Sequence, residues 1–403
     1  MRIALFTETY PPQINGVATH VKSLKDGLEQ LGHQVLIVTA DINTRRHYLK
    51  DNILHCPALE MKRLYGYGLS SPVDIRRLRI IQNFQPDVIH IHNEFSIGLF
   101  GVAAARILKL PLVYTLHTMY DDYIYYVAPR PFVRVTKRFS HRYIKFFAEQ
   151  ADCITGPSKK CDEYLKAAGV EAGKEVHVIP NPVELDDFSP QRVSEEEKKA
   201  FRAKYSLPED ALIACFVGRL GREKSVDVLL RYWAEAIHPE DNMRLVVIGD
   251  GPVKAELEEQ AKELGLSDAV IFTGKVEHSA LPPYLAGCNI YATASLSDTN
   301  SISMKEGMAA GLPVLQLYDE LNADQIVDGV NGFVFRDAEE FAGKLRKFRD
   351  MDRQQRETLC GSVMESVSRY SAANLGRNLI SVYEKAIVTH SEREPVFARL
   401  NIR

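Results

Sequence analysis

The chain has 403 residues, 45% of them apolar and 26% charged, a globular composition that excludes long disorder and collagen-like sequence. Its length exceeds what one hydrophobic core usually serves, so two domains are expected, and its longest apolar runs are too short to span a bilayer. The formal net charge of -3 conceals a balance of +6 over residues 1–180 and -9 over the rest, which points an anionic surface or ligand toward the first half.

The chain enters at once on an apolar strand, Arg2 to Thr7, with nothing resembling a secretory leader. Cysteines at 56, 153, 161, 215, 288 and 360 lack zinc or redox spacing. Reduced thiols in a cytoplasmic protein are therefore expected. A loop closing at Asn15-Gly16 precedes a helix over 17–31 and a strand over 34–38. Further strands are predicted at 87–91, 112–115, 152–155 and 176–179, with a helix over 97–108. Continuous apolar strands alternating with helices predict a parallel sheet covered on both faces.

Pro180-Asn181-Pro182 breaks this alternation and sets the first domain at 1–182. Ser194-Glu195-Glu196-Glu197 reads as a capping box opening a helix. Strands at 212–217, 244–248, 269–272, about 290–292 and 314–315 then predict a second domain over 183–372. The closing segment, 373–403, is helical in pattern and is expected to pack back on the first domain. The fold class is α/β, two doubly wound Rossmann-like domains facing across a cleft at the carboxyl ends of their sheets, where such folds bind ligands.

Three segments of the second half carry the chemistry. Gly218-Arg219-Leu220-Gly221-Arg222-Glu223-Lys224 follows a strand with glycines that admit a ligand, and Arg219 and Lys224 offer two cations suited to a diphosphate. Arg222 reads as solvated. Gly249-Asp250-Gly251-Pro252 repeats the strand–turn–helix arrangement, and by itself reads as structural. In Asp298-Thr299-Asn300-Ser301-Ile302-Ser303, hydroxyls and amides precede a helix that carries Glu306. That arrangement suits an anion, with Glu306 placed for ribose hydroxyls and Asp298 for a sugar; the bland reading is an ordinary helix cap.

These segments, with Glu8-Thr-Tyr-Pro-Pro and Asn15-Gly16-Val17 near the start, resemble the retaining GT-B glycosyltransferases over nearly the whole chain. The resemblance implies a nucleotide-sugar donor, with Arg219 and Lys224 on its diphosphate, Glu306 on the ribose and Asp298 on the transferred sugar. It also implies that Gly16, Gly218, Asn300, Ser301 and Ile302 line the donor, and that no metal or other cofactor is required. The family usually has Glu at the place of Asp298 and Gly at that of Ser301, which bears on sugar identity and on activity.

Leu116-His117-Thr118-Met119-Tyr120-Asp121-Asp122-Tyr123 follows a strand and resembles bacterial diacylglycerol glucosyltransferases. That resemblance implies His117 on the donor sugar, Asp121 near the acceptor hydroxyl, and UDP-glucose as donor. A lone histidine is otherwise more often structural. A helix over 130–147 would set Arg130, Arg134, Lys137, Arg138, Arg142 and Lys145 within a 140° arc free of acids, with Phe132, Val135, Phe139, Tyr143, Phe146 and Phe147 opposite. Such a helix suits anionic headgroups, or else buries its apolar face in the core and merely solvates the basic one. Lys62 to Tyr67 adds a second basic–aromatic patch. No nucleic-acid reader motif accompanies the charge.

Together these features predict a retaining hexosyltransferase, peripheral on the inner face of the membrane, moving glucose from UDP-glucose to a lipid hydroxyl. The alternatives are the same chemistry on a soluble or polysaccharide acceptor, and a non-catalytic sugar-nucleotide sensor. A dehydrogenase is disfavoured because no Gly-x-Gly-x-x-Gly follows the first strand.

Overall fold

The computed structural model describes residues 1–13, 15–61, 67–122, 124, 130–170, 174 and 176–393. The Lys62–Tyr67 patch, apart from the Tyr67 backbone, and Tyr123 lie outside these residues, as does the Arg130 side chain. The chain divides into two compact units, Met1–Pro182 with Ala372–Arg403, and Val183–Ser371.

The first unit is built on β1 (Arg2–Thr7), β2 (Gln34–Asp41), β3 (Tyr48–Lys50), β4 (Ile53–Met61), β5 (Tyr67–Ser70), β6 (Val88–Ile91), β7 (Leu112–Thr115), β8 (Cys153–Gly156) and β9 (Val176–Val178). The main path runs β3-β4-β2-β1-β6-β7-β8-β9, with β5 on β4. Central strands pair in parallel: Ile3 lies opposite Val35 on one side and Val88 on the other, and β1 is buried from Ile3 to Thr7. The sheet is not parallel throughout, because β3 and β5 run antiparallel to β4. The sequence reading missed all three of these strands. Leu49 and Leu59 face solvent there, so the continuous apolar run that marks a doubly covered strand is absent.

The last helix, Ala372–Arg393, belongs to this first unit. It lies so close to the Gly16–Gln30 helix that a Cβ on Gly27 would stand 2.0 Å from the Ala372 carbonyl oxygen. Ile3, Leu5, Leu24 and Leu28 share one core cluster with Leu375, Leu379, Val382 and Tyr383. At its far end His390 and Arg393 both hold Asp152.

The second unit carries β10 (Leu212–Val217), β11 (Met243–Ile248), β12 (Val270–Gly274), β13 (Ile290–Thr293), β14 (Val314–Leu317) and β15 (Gly332–Phe335). All six are parallel, in the order β12-β11-β10-β13-β14-β15. Ser194 and Glu197 close the capping box that their spacing predicts. Strand β15 went unpredicted, being four residues long and directly following a turn.

Both sheets reverse their strand order beside a central strand. From β10 the chain adds β11 and β12 on one side and β13 on the other; from β1 it adds β2 on one side and β6 and β7 on the other. Loops leaving the carboxyl ends at such a point diverge and leave a crevice. The six cysteines are all free thiols, and all but Cys360 are buried.

Candidate functional site

In the second unit the three motifs leave the carboxyl ends of neighbouring strands: Gly218–Lys224 from β10, Gly249–Pro252 from β11, and the Asp298 loop after β13. The first two interlock. Gly218 N–H donates to Ile248 O at 3.0 Å and Leu220 N–H to Asp250 O at 2.9 Å. A Cβ on Gly249, whose φ is +148°, would stand 1.9 Å from the Gly218 carbonyl oxygen. Only glycine fits there, so the Gly249 turn buttresses the Gly218 turn.

Arg219 lies 3.8 Å from the buried Glu223 carboxylate. Lys224 forms an ion pair with Asp298, so two residues assigned to opposite ends of a donor, diphosphate and sugar, meet directly. Asn322 Nδ2 donates to the Asp298 carbonyl at 2.8 Å, and Gln325 Nε2 to that of Thr299 at 3.1 Å. Asn300 is buried against Lys305.

Ser301 is the N-cap of the Ile302–Ala309 helix, accepting from Met304 N–H at 3.3 Å. Its hydroxyl is thus turned into the helix, which is the bland role weighed for it. Ile302 is the first helical residue. Glu306 is buried and accepts a hydrogen bond from His278 Nε2 at 2.8 Å. That bond outweighs burial and raises the imidazole pKa above its usual 6.5, so His278 tends to carry charge beside the carboxylate. No sequence signal marked His278, because it meets Glu306 across 28 residues.

In the first unit Gly16 opens its helix, capped by Asn15, whose Oδ1 accepts from Ala18 N–H at 2.9 Å. His117 sits two residues past β7, half-buried, sharing a hydrogen bond with His92 Nδ1 at 3.0 Å and meeting the His20 ring edge-on at 4.7 Å. His20 is held by Asn181 at 3.0 Å, and His90 by Tyr383 and Thr115. Burial, then neighbouring imidazoles, lowers His90, His92 and His117 well below 6.5. His90, His92 and His117 are therefore neutral at pH 7, the state in which an imidazole nitrogen can donate or accept a single hydrogen bond. His20, His92 and His117 also present one nitrogen each within 4.8 Å, the sole metal-like grouping among the described residues; His92 and His117 share a hydrogen bond there and the His20 ring packs against both.

Two buried carboxyls flank this cluster. Glu8 accepts from Ile97 N–H at 2.5 Å and Ser96 Oγ at 3.1 Å, and burial pushes its pKa up to about 8. Glu94 receives the hydroxyls of Tyr114 and Tyr120, both at 2.5 Å, and burial raises it to about 7. Asp121, in the Tyr120–Asp122 turn, is clamped by His141 at 3.0 Å and Lys137 at 2.7 Å.

His141 and Lys137 belong to the Val133–Gln150 helix, which corrects the sequence reading on two points. A 3-10 turn occupies Arg130–Phe132 and the α-helix reaches Gln150, so Glu149 joins the basic arc and pairs with Lys145 at 3.5 Å. The arc is thus partly compensated. The apolar face is also split. Ile144, Phe147 and Ala148 are buried, whereas Phe132, Val135 and Phe139 are 59%, 66% and 71% exposed. Arg134, Arg138 and Arg142 are exposed beside them. Among the described residues, no helix is long and apolar enough to cross a membrane.

Comparison with known proteins agrees with this architecture. Residues 14–187 match the family described as Glycosyltransferase Family 4, and residues 197–359 that described as Glycosyl transferases group 1. The alpha-monoglucosyldiacylglycerol synthase of Streptococcus pneumoniae is 31% identical over 97% of this chain and 87% of its own length. The synthase of the same name from Acholeplasma laidlawii is also 31% identical, over 86% and 87%. A GDP-mannose-dependent alpha-mannosyltransferase of Mycobacterium tuberculosis is 28% identical over 78% of each. Among solved structures, Anabaena HepE in complex with UDP aligns with a TM-score of 0.71 at 17% identity, covering 95% of this chain and all of its own. Sucrose-phosphate synthase from Thermosynechococcus elongatus aligns at 0.73 and 19%, over 96% and 99%. These neighbours share the GT-B fold.

Proposed function

The chain belongs to the group 1 glycosyltransferases and moves a sugar from a nucleotide-sugar donor, and on that premise we propose a retaining transfer of glucose from UDP-glucose to a lipid hydroxyl such as that of diacylglycerol. The observation that supports the donor half is the Lys224–Asp298 ion pair, which joins the loops leaving β10 and β13 at the switch point of the second sheet, with Arg219 on the first loop and Glu306 on the helix that follows the second. When the anomeric bond breaks, negative charge grows on the departing diphosphate. Arg219 and Lys224 stabilise that charge more in the transition state than in the ground state, which is the condition for acceleration. Arriving phosphates exchange with Asp298 for Lys224 and free that carboxylate for sugar hydroxyls. Glu306, oriented by His278, accepts from the ribose.

The first unit supplies His117 to the donor sugar and Asp121 to the acceptor hydroxyl. A lipid acceptor is supported by the names of the two synthases that are 31% identical and by the exposed Phe132, Val135 and Phe139 beside Arg134, Arg138 and Arg142. Aromatic and basic side chains so arranged suit an anionic membrane face, on its cytoplasmic side, with each cation contributing about 1 kcal/mol near the surface.

Two measurements test this. Purified protein with UDP-glucose and vesicles containing diacylglycerol should yield a glucosylated lipid with α configuration; donor binding without any transfer would instead favour a sensor. Reversing Arg134, Arg138 and Arg142 to Glu should abolish sedimentation with anionic vesicles at low salt. If wild type does not sediment either, the lipid reading is lost. Similarity to a GDP-mannose-dependent enzyme supports a second reading with another donor sugar, which GDP-mannose in the same assay checks.

A further inference from the structure

Lys305 stands on the Ile302–Ala309 helix one residue before Glu306 and is 2% exposed. Its Nζ donates to Asn300 Oδ1 and lies 3.8 Å from the centroid of the Tyr370 ring. Burial, reinforced by Arg369, lowers its pKa well below the ordinary 10.5. Burying an amine in this way is unfavourable, and methionine would fill the same space without that cost. What the lysine gives in return lies in what it touches.

Asn300 is the third residue of a run in which each member is held by a different side chain. Asn322 Nδ2 takes the Asp298 carbonyl, Gln325 Nε2 takes the Thr299 carbonyl, and Lys305 takes the Asn300 side chain. Asn322 is itself fixed by Gln325 at 2.8 Å. Lys305 reaches the run from the helix that follows it. Asn300, Lys305, Gln325 and Tyr370 border one small cavity. Either protonation state of the amine still donates to Asn300.

We propose that Lys305 is a positioning residue for the donor: through Asn300 it fixes the Asp298–Ser301 loop in the shape that receives the nucleotide-sugar phosphates, and so sets donor affinity without touching the donor. This rests on the reading of that loop as the donor site.

The test uses the full chain and titrates UDP calorimetrically, alongside donor KM, kcat and Tm. Lys305→Met should leave Tm unchanged or raised, weaken UDP about tenfold, and raise donor KM more than it lowers kcat. Lys305→Gln, which keeps an N–H for Asn300 Oδ1, should recover much of the affinity. In the Asn300→Ala background, Lys305→Met should add nothing. Wild-type affinity in Lys305→Met overturns the proposal, as does equal weakening in Met and Gln accompanied by a fall in Tm. Should Lys305→Met not fold, the Gln and Asn300→Ala variants carry the same comparison. Absence of UDP binding in wild type would instead remove the donor-site reading, and this proposal with it.

Discussion

The two units meet the same topological problem with opposite electrostatics. At the carboxyl ends of β1, β6 and β7, burial has driven the titratable groups toward neutrality: His90, His92 and His117 are lowered, and Glu8 and Glu94 are raised to about 8 and 7. After β10, β12 and β13 the ionisable side chains are paired instead, as Lys224 with Asp298, Arg219 with Glu223 and His278 with Glu306. A neutral, hydrogen-bonding surface suits sugar and acceptor hydroxyls. A paired one suits a diphosphate, because cations whose desolvation is already offset by carboxylates can exchange partners. The contrast follows from burial as much as from residue type.

The largest effect that would break this comparison is at Lys224. Lys224→Ala should lower kcat by about 10²–10³, the loss typical of removing one donor to a developing oxyanion. Its partly exposed pair with Asp298 should contribute no more than about 1 kcal/mol to stability. Steady-state transfer and thermal melts on one preparation decide it; retained turnover would strip the paired region of its assigned role.

A smaller effect is expected in the first unit, at the Asp121 turn beside the neutral groups. His141→Ala removes a donor to Asp121 and should raise acceptor KM about tenfold while donor KM stays put. His141→Gln should recover part of the loss. An equal rise in both KM values would make His141 a support for the whole unit and not for the acceptor turn.

The parts of this molecule that could be read from its sequence are those where one strand states its own environment. β7 and β10 match their predicted bounds because four and six consecutive apolar or β-branched residues admit only a doubly covered strand. Glycine turns with cations were equally visible. Pairings across distance were not: His278 finds Glu306, and His141 finds Asp121, only once the chain is folded. Lys305 was invisible for a different reason, since a lysine on a helix reads as solvated. The Val133–Gln150 helix is instructive in between. Its period was legible, yet periodicity alone could not tell that Phe147 is buried while Phe139 faces outward.

The finest distinction between the regions concerns pH. Glu8 is raised from 4.5 to about 8 in the folded chain, so the native state binds more protons than the unfolded one between those values. The stability it contributes is complete below about pH 4.5 and is lost as pH rises through 8. Glu94, at about 7, follows the same sign over a lower window. The lowered histidines have the opposite sign, contributing above 6.5 and losing stability as pH falls. Between pH 7 and 8 the slope therefore belongs mainly to Glu8. At roughly 1.4 kcal/mol per unit of pKa difference, wild type should lose about 1 kcal/mol across that interval, or about 2–4 °C in Tm. Glu8→Gln keeps an acceptor for Ile97 N–H and cannot titrate, so its Tm should stay level from pH 7 to 8. A variant that melts in parallel with wild type would place the Glu8 proton elsewhere and leave the neutral character of this region resting on its imidazoles alone.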